Sequence, residues 1–174
     1  GRSRRKAVQG LETLHVLTPE EAIKQSPNLS GPIVVYDDEQ GYLAGVIADH
    51  LSFDEHEVIF ITPASVVSPW TESTLEQKRI QKALLVSGVN VICNKTIDKA
   101  EGSSLNLKCV FTGEISLLKC SSLVMVTERI PNTKLYDQLV EQENNTEQGE
   151  AKHIQLIGDA ESPGLIADAV FLGH

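Results

Sequence analysis

PIVVYDDEQGYLAGVIADHLSFDEHEVIFITP, running from Pro32 to Pro63, decides the fold. Ile33, Val34, Val35 and Tyr36 form an unbroken apolar run, the pattern of a strand covered on both faces. Leu43, Ala44, Ile47, Ala48 and Leu51 then recur at helical spacing, with Asp49 and His50 toward the opposite face. The small residues Ala44 and Ala48 permit this helix to approach the strand closely. Val58, Ile59, Phe60 and Ile61 supply a second buried strand, so the stretch reads as a right-handed βαβ unit. Such units cradle dinucleotides in many proteins. Here, where a glycine-rich turn would receive phosphates, the chain offers Asp37, Asp38 and Glu39.

The flanks extend the pattern. Thr18-Pro19-Glu20-Glu21 has the form of a helix N-terminus, with proline at the first helical position and acids at the positive end of the dipole. A short helix through Ala22 and Ile23 ends at Ser26-Pro27, and Ser30-Gly31-Pro32 marks a boundary. Downstream, Ser73-Thr74-Leu75-Glu76 matches a capping box. Leu75, Ile80, Ala83 and Leu84 follow at helical spacing, Gly88 suits the C′ position, and Val89 to Cys93 is a third parallel strand.

The period then changes. Leu105, Leu107, Cys109 and Phe111 alternate strictly, Thr112-Gly113-Glu114 turns the chain, and Ile115 and Leu117 continue the alternation before the buried strand Leu123 to Val126. This is an antiparallel meander. Pro131 to Asn145 predicts a helix with Leu135, Tyr136 and Leu139 inward, and Asn144 to Gly149 a polar loop. Ile154, Leu156 and Ile157 read as a last strand, and Leu165, Ile166, Ala169 and Val170 as a closing helix. The fold class expected is α/β, a three-layer Rossmann-like FAD/NAD(P)-binding-domain fold with a central parallel sheet and an antiparallel β-meander.

Composition narrows the function. With 174 residues, 41% of them hydrophobic, the chain suffices for one ordinary core or two small lobes. A formal net charge of -9 predicts repulsion from nucleic-acid phosphates and anionic membranes; the basic run Arg2, Arg4, Arg5, Lys6 is the exception and reads as a solvated terminus. Neither nucleic acid nor membrane is an expected partner. Cys93, Cys109 and Cys120 are widely spaced without a CxxC pair, which argues against a disulfide framework or a complete zinc or iron–sulfur site and for buried small hydrophobes in a reducing, cytoplasmic setting. His15, His50, His56, His153 and His174 are scattered with no HxxxH or HExxH pattern. No catalytic or metal-ligating residue is therefore assigned.

Family likeness emerges from three stretches. Ile157 to His174, IGDAESPGLIADAVFLGH, closely resembles the segment closing the FAD-like domain in the trimethylamine dehydrogenase family, which includes histamine dehydrogenase and 2,4-dienoyl-CoA reductase among large NADH:flavin oxidoreductases. VSPWTESTLEQKRIQKALLVSGV resembles the second helix of that family's small domain, and VVYDDEQGYLAGVIADHL its first βαβ. The resemblance implies residues 1–30 as a segment leading from the FAD-like domain, 31–130 as a small NAD(P)-domain-like lobe, and 131–174 as the return segment of the FAD-like domain. It implies a parent enzyme whose TIM barrel carries FMN and whose cysteine cluster holds a [4Fe-4S] centre. The chain itself would then be an inactive piece without resident cofactor, partnered by the TIM-barrel and FAD-like domains of its own polypeptide and by an electron-transfer protein.

Two places carry ligand expectations. A dinucleotide fingerprint requires glycine in the tight turn, glycine where backbone meets pyrophosphate, and a small residue where helix meets strand. Aligned through the helix, Glu39 replaces the first, Gly41 keeps the second and Ala44 replaces the third, in a turn about two residues longer than the compact form. Three carboxylates there oppose a pyrophosphate by ~1–4 kcal/mol per pair, against a helix-dipole gain of ~0.3–1 kcal/mol each. A scaffold role outweighs NAD(P)H binding on this count. By resemblance, Gly158, Asp159 and Ala160 are the remnant of an FAD or ADP site; a cap for the following helix is the competing reading. Trp70, beside Pro69, reads as a loop anchor or an interdomain contact.

Overall fold

The computed structural model describes residues 2–3, 8–127, 129–144, 154–164 and 166–173. Two compact units result, one of Arg5–Glu128 and one of Gly1–Arg4 with Arg129–His174. Strand β1 (Arg2–Ser3) belongs to the smaller unit. The larger unit runs β2 (His15–Leu17), α1 (Pro19–Gln25), β3 (Ile33–Asp37), α2 (Leu43–Phe53) and β4 (Val58–Ile61). It continues with α3 (Gln77–Val86), β5 (Asn90–Ile92), β6 (Lys95–Glu101), β7 (Ser104–Cys109), β8 (Ile115–Lys119) and β9 (Ser122–Val126).

Five parallel strands form the central sheet in the order β2-β9-β3-β4-β5, and β6-β7-β8 form a separate antiparallel sheet. The pleat sorts the apolar runs to two faces. Ile33 and Val35 of β3, Val58 and Phe60 of β4, and Val124 and Val126 of β9 join the core that contains Ala44, Ile47, Ala48 and Leu51 of α2. Val34, Tyr36, Ile59, Ile61, Leu123 and Met125 join Ile97, Ala100, Leu105 and Leu107 of the meander. Helices, sheet and meander thus make the three layers that the sequence predicts.

Local chemistry explains the element ends. Thr18 and Glu21 form the reciprocal capping box at α1, with Glu21 N–H donating to Thr18 Oγ1 at 3.2 Å and Thr18 N–H to Glu21 Oε2 at 2.8 Å. Gly88, at φ 79°, closes α3: its N–H donates to the Leu85 carbonyl and Val89 N–H to the Leu84 carbonyl, the Schellman arrangement. The capping box expected at Ser73 to Glu76 does not form. Ser73 Oγ donates backward to the Trp70 carbonyl, Leu75 takes φ 62° with 90% exposure, and α3 begins only at Gln77.

The expected boundary between residues 30 and 31 falls inside the larger unit. His15, Val16 and Leu17 pair in register with Ser122, Leu123 and Val124, while Ala100 N–H donates to the Gln9 carbonyl at 2.8 Å. The stretch before α1 therefore supplies an edge strand.

In the smaller unit, β1 pairs antiparallel with β10 (Arg129–Ile130), followed by α4 (Lys134–Asn144) and α5 (Ile166–Leu172). Helix α4 starts after Pro131, Asn132 and Thr133, whose hydroxyl donates to Asp137 Oδ2 at 2.9 Å. Leu135 and Leu139 are not inward but exposed. Residues 154–157 form no strand, and among the described residues no ladder partner pairs with them. Arg4, Arg5, Lys6, His153, Leu165, His174 and all but Asn144 of the polar loop lie outside the described residues.

Gly45 reports the fit of α2 on α3. An added Cβ would lie 2.5 Å from Ile80 Cγ2, a stiff β-branched methyl in a buried side chain. Gly45→Ala should therefore destabilise by about 1–3 kcal/mol in urea unfolding, despite the ~1 kcal/mol that alanine gains in helix propensity. In an Ile80→Ala background the same Gly45→Ala change should cost markedly less; a Gly45→Ala variant more stable than the parent contradicts the close approach.

Candidate functional site

The C-terminal ends of β3 and β4 meet the start of α2, the place where open α/β sheets hold ligands. Asp37 is the last residue of β3 and fully buried. Its Oδ1 accepts the Gln40 N–H at 2.7 Å, while no protein donor reaches the buried Oδ2. That bond closes the turn with a side chain in place of a backbone carbonyl, which is what Asp supplies in tight turns. Gln40 is left-handed at φ 61°, and its carbonyl accepts the Trp70 N–H at 3.2 Å.

Asp38 and Glu39 are tied to the sheet. Both backbone N–H groups donate to the Val126 carbonyl, at 2.9 and 3.2 Å. Tyr36 Oη donates to Asp38 Oδ1 at 3.0 Å and lies 2.9 Å from Thr96 Oγ1, linking the turn to the meander. Burial pushes the Tyr36 phenol up from its usual range. The carboxylates read as a phosphate-opposing cluster are thus structural parts of the turn.

Burial raises the Asp37 carboxyl to about 7; the Gln40 N–H opposes this, and Glu39 and Asp38 add to it. A buried carboxyl with one unpaired oxygen, beside two further acids, does not fit a pyrophosphate. The other two fingerprint positions differ from each other. Ala44 is fully buried in the core under α2, where helix meets sheet. Gly41 is open: an added Cβ would meet only the Glu39 side chain, at 3.9 Å, so packing does not demand glycine there. Helix α2 begins with Tyr42 at its N-cap and no side-chain cap.

Gly158 takes φ 56° at the head of a 3-10 turn, Gly158–Ala160, and is buried against Ala169, whose Cβ lies 3.3 Å from an added Gly158 Cβ. Gly164 N–H donates to Asp159 Oδ1 at 3.4 Å, which makes Asp159 a tie within its own loop. Ala160 is half-buried. These residues adjoin one another, and they belong to a different unit from Gly41 and Ala44.

The cysteines depart from the expectation of uniform burial. Only Cys120 is buried, and burial pushes its thiol up to about 11; Cys93 and Cys109 are half-exposed. The Thr112 side chain and the Thr112 and Phe111 backbone hold the Cys109 thiol down to about 7. Sequence reasoning missed this because Cys109 continues an apolar alternation just where β7 leaves the core. Among the described residues, no three His, Cys, Asp or Glu side chains gather as a metal site, and no helix is long and apolar enough to cross a membrane. The Trp70 indole is 70% exposed, so this residue anchors its loop through its backbone rather than through side-chain packing.

No family model matches the chain. The structure superimposes on histamine dehydrogenase from Rhizobium sp. 4-9 with a TM-score of 0.87 and 31% identity over 98% of this chain. The chain is thus similar to the C-terminal part of enzymes of the trimethylamine dehydrogenase and histamine dehydrogenase type. It is also similar to 6-hydroxypseudooxynicotine amine oxidase from Pseudomonas geniculata N1, with a TM-score of 0.85 and 30% identity over 99% of the chain. Dimethylamine dehydrogenase of Hyphomicrobium sp. (strain x) is 26% identical over 92% of it. In each case the match covers the C-terminal part of the relative, 28%, 25% and 24% of its length respectively.

The ionisation of Asp37 sets a sign for stability. A folded-state value near 7, against ~4 in the unfolded chain, means that folding retains a proton between those limits. Stability therefore falls as pH rises from about 4 to 7 and levels above. Asp37→Asn should flatten that slope in denaturant titrations and be the more stable protein at pH 8, by on the order of 2 kcal/mol. An unchanged slope contradicts the burial of this carboxyl.

Proposed function

We propose that the chain is the nucleotide-domain-like C-terminal part of a multidomain flavin-dependent oxidoreductase of amine dehydrogenase or NADH:flavin oxidoreductase type, and that it serves there as scaffold. The observation that carries this reading is the Asp37 turn, closed on Gln40 by its own carboxyl where a dinucleotide would need open amides. The redox chemistry of such an enzyme is supplied by FMN and a [4Fe-4S] cluster bound to its other domains.

The smaller unit supports partnership with the rest of such a polypeptide. Leu135 of α4 and Ile166, Val170 and Phe171 of α5 are 66–86% exposed, and α5 buries no residue. At about 25 cal/mol per Å2 of apolar surface, covering these faces would stabilise the unit substantially. We assign residues 131–174 to the FAD-like domain on this basis, with the remainder of that domain and the TIM barrel as the covering partners. An electron-transfer protein and a cytoplasmic setting complete the proposal.

One observation favours a second reading, a module that still takes NAD(P)H or ADP. Gly41 leaves the backbone before α2 approachable, and Gly158, Asp159 and Ala160 retain the glycine–acid turn of an FAD-type site. Titration of the 15N-labelled chain with NADH, NADPH and ADP separates the two. The scaffold reading expects no saturable shifts over residues 37–44. Saturation there by a reduced nicotinamide overturns it in favour of the binding module, and saturation by ADP centred on Asp159 establishes the FAD-type remnant.

A further inference from the structure

The Asp37 turn also ties together two loops at the C-terminal edge of the parallel sheet. Asp37 Oδ1 holds the Gln40 N–H, Gln40 is kept at φ 61°, and the Gln40 carbonyl holds the backbone of Trp70. Trp70 sits in the 3-10 segment Pro69–Glu72, which follows β4, so the turn after β3 and the loop after β4 are latched through one residue. We propose that this latch is operated by a proton: with Asp37 neutral the Gln40 turn stays closed on the Trp70 loop, and loss of the proton opens it.

Geometry supplies the reason. The Asp37 side chain is fully enclosed and Oδ2 has no protein donor, so an ionised carboxyl leaves a buried negative oxygen uncompensated. A neutral carboxyl leaves only an unpaired polar atom, a much smaller penalty. Relief for the ionised form is movement toward water; with Asp38 and Glu39 tied to the Val126 carbonyl, the tie that yields is the single bond between Gln40 and the Trp70 backbone.

Among the described residues, the charges that act on Asp37 are those of Glu39 and Asp38. On its own turn Asp37 faces Asp38 and Glu39, both acids. Strand β9 opposes it with Val126, and the chain after β4, from Thr62 to Ser68, contains no charged residue. The first turn of α2 is uncharged, its first acid being Asp49. Of the helices flanking α2, α1 carries Glu20, Glu21 and Lys24, and α3 carries Lys78, Arg79 and Lys82, with Arg79 3.0 Å from Glu76. On the meander side stand Tyr36 with Thr96, while Lys95 acts on Cys109.

Trp70 is the chain's single tryptophan, which makes the latch observable. The experiment follows the Asp37 carboxyl by 13C NMR and Trp70 by emission and by its indole resonance from pH 5 to 9, in a Cys109→Ser background that removes the thiol titrating in the same range. The account expects an Asp37 midpoint near 7, a Trp70 transition with the same midpoint, and loss of that transition in Asp37→Asn with the signal held at its acidic value. The two-probe titration of unsubstituted Asp37 decides the matter even if Asp37→Asn does not fold. An Asp37 midpoint below about 5, a Trp70 signal flat across the midpoint, or a transition that persists in Asp37→Asn overturns the latch.

Discussion

The 2.7 Å hydrogen bond from the Gln40 amide to the Asp37 carboxyl is the constraint around which this edge of the protein is arranged. It ends β3, fixes a left-handed residue and directs the chain into α2. In a dinucleotide-binding unit the corresponding turn is built from glycines, so that backbone amides can face a phosphate. Here a side chain of the protein takes one of those amides. The acceptor oxygen that would have come with the ligand is already present, and it is buried.

This substitution leaves the rest of the architecture intact, because the forces are separable. The parallel sheet depends on apolar side chains divided between its faces, as in the alternation of Ile33 and Val35 with Val34 and Tyr36. The packing of α2 depends on Ala44, Ala48 and Gly45. None of these requires a bound nucleotide. The likeness to histamine dehydrogenase therefore extends over nearly the whole chain, with a TM-score of 0.87.

The sequence was most legible where one signal dominated. Continuous apolar runs marked β3 and β4, and Thr18-Pro19-Glu20-Glu21 marked the start of α1, where the structure adds a capping box. It was misleading where a local motif had a stronger competitor. Ser73 to Glu76 matches a capping box in spacing, but the Ser73 hydroxyl is used by the Trp70 carbonyl. Strand β6 was obscured by a bulge between Ile97 and Lys99, which brings Ile97 and Ala100 inward at a spacing of three rather than two. Strand β2 was hidden by its brevity, three residues at a sheet edge. At the candidate site, the three acids and the degenerate glycines were readable, whereas the link from Gln40 to Trp70 depends on loops brought together only by the fold.

Amide hydrogen exchange at Gln40 tests the central claim directly, because that N–H is committed either to Asp37 or to solvent. The account predicts slow exchange at Gln40 below neutral pH, and loss of that protection in Asp37→Ala while the amides of β3 and β4 remain protected. A Gln40 amide that exchanges as fast as an open loop, or one whose protection survives in Asp37→Ala, would contradict the claim that this carboxyl has taken the ligand's place.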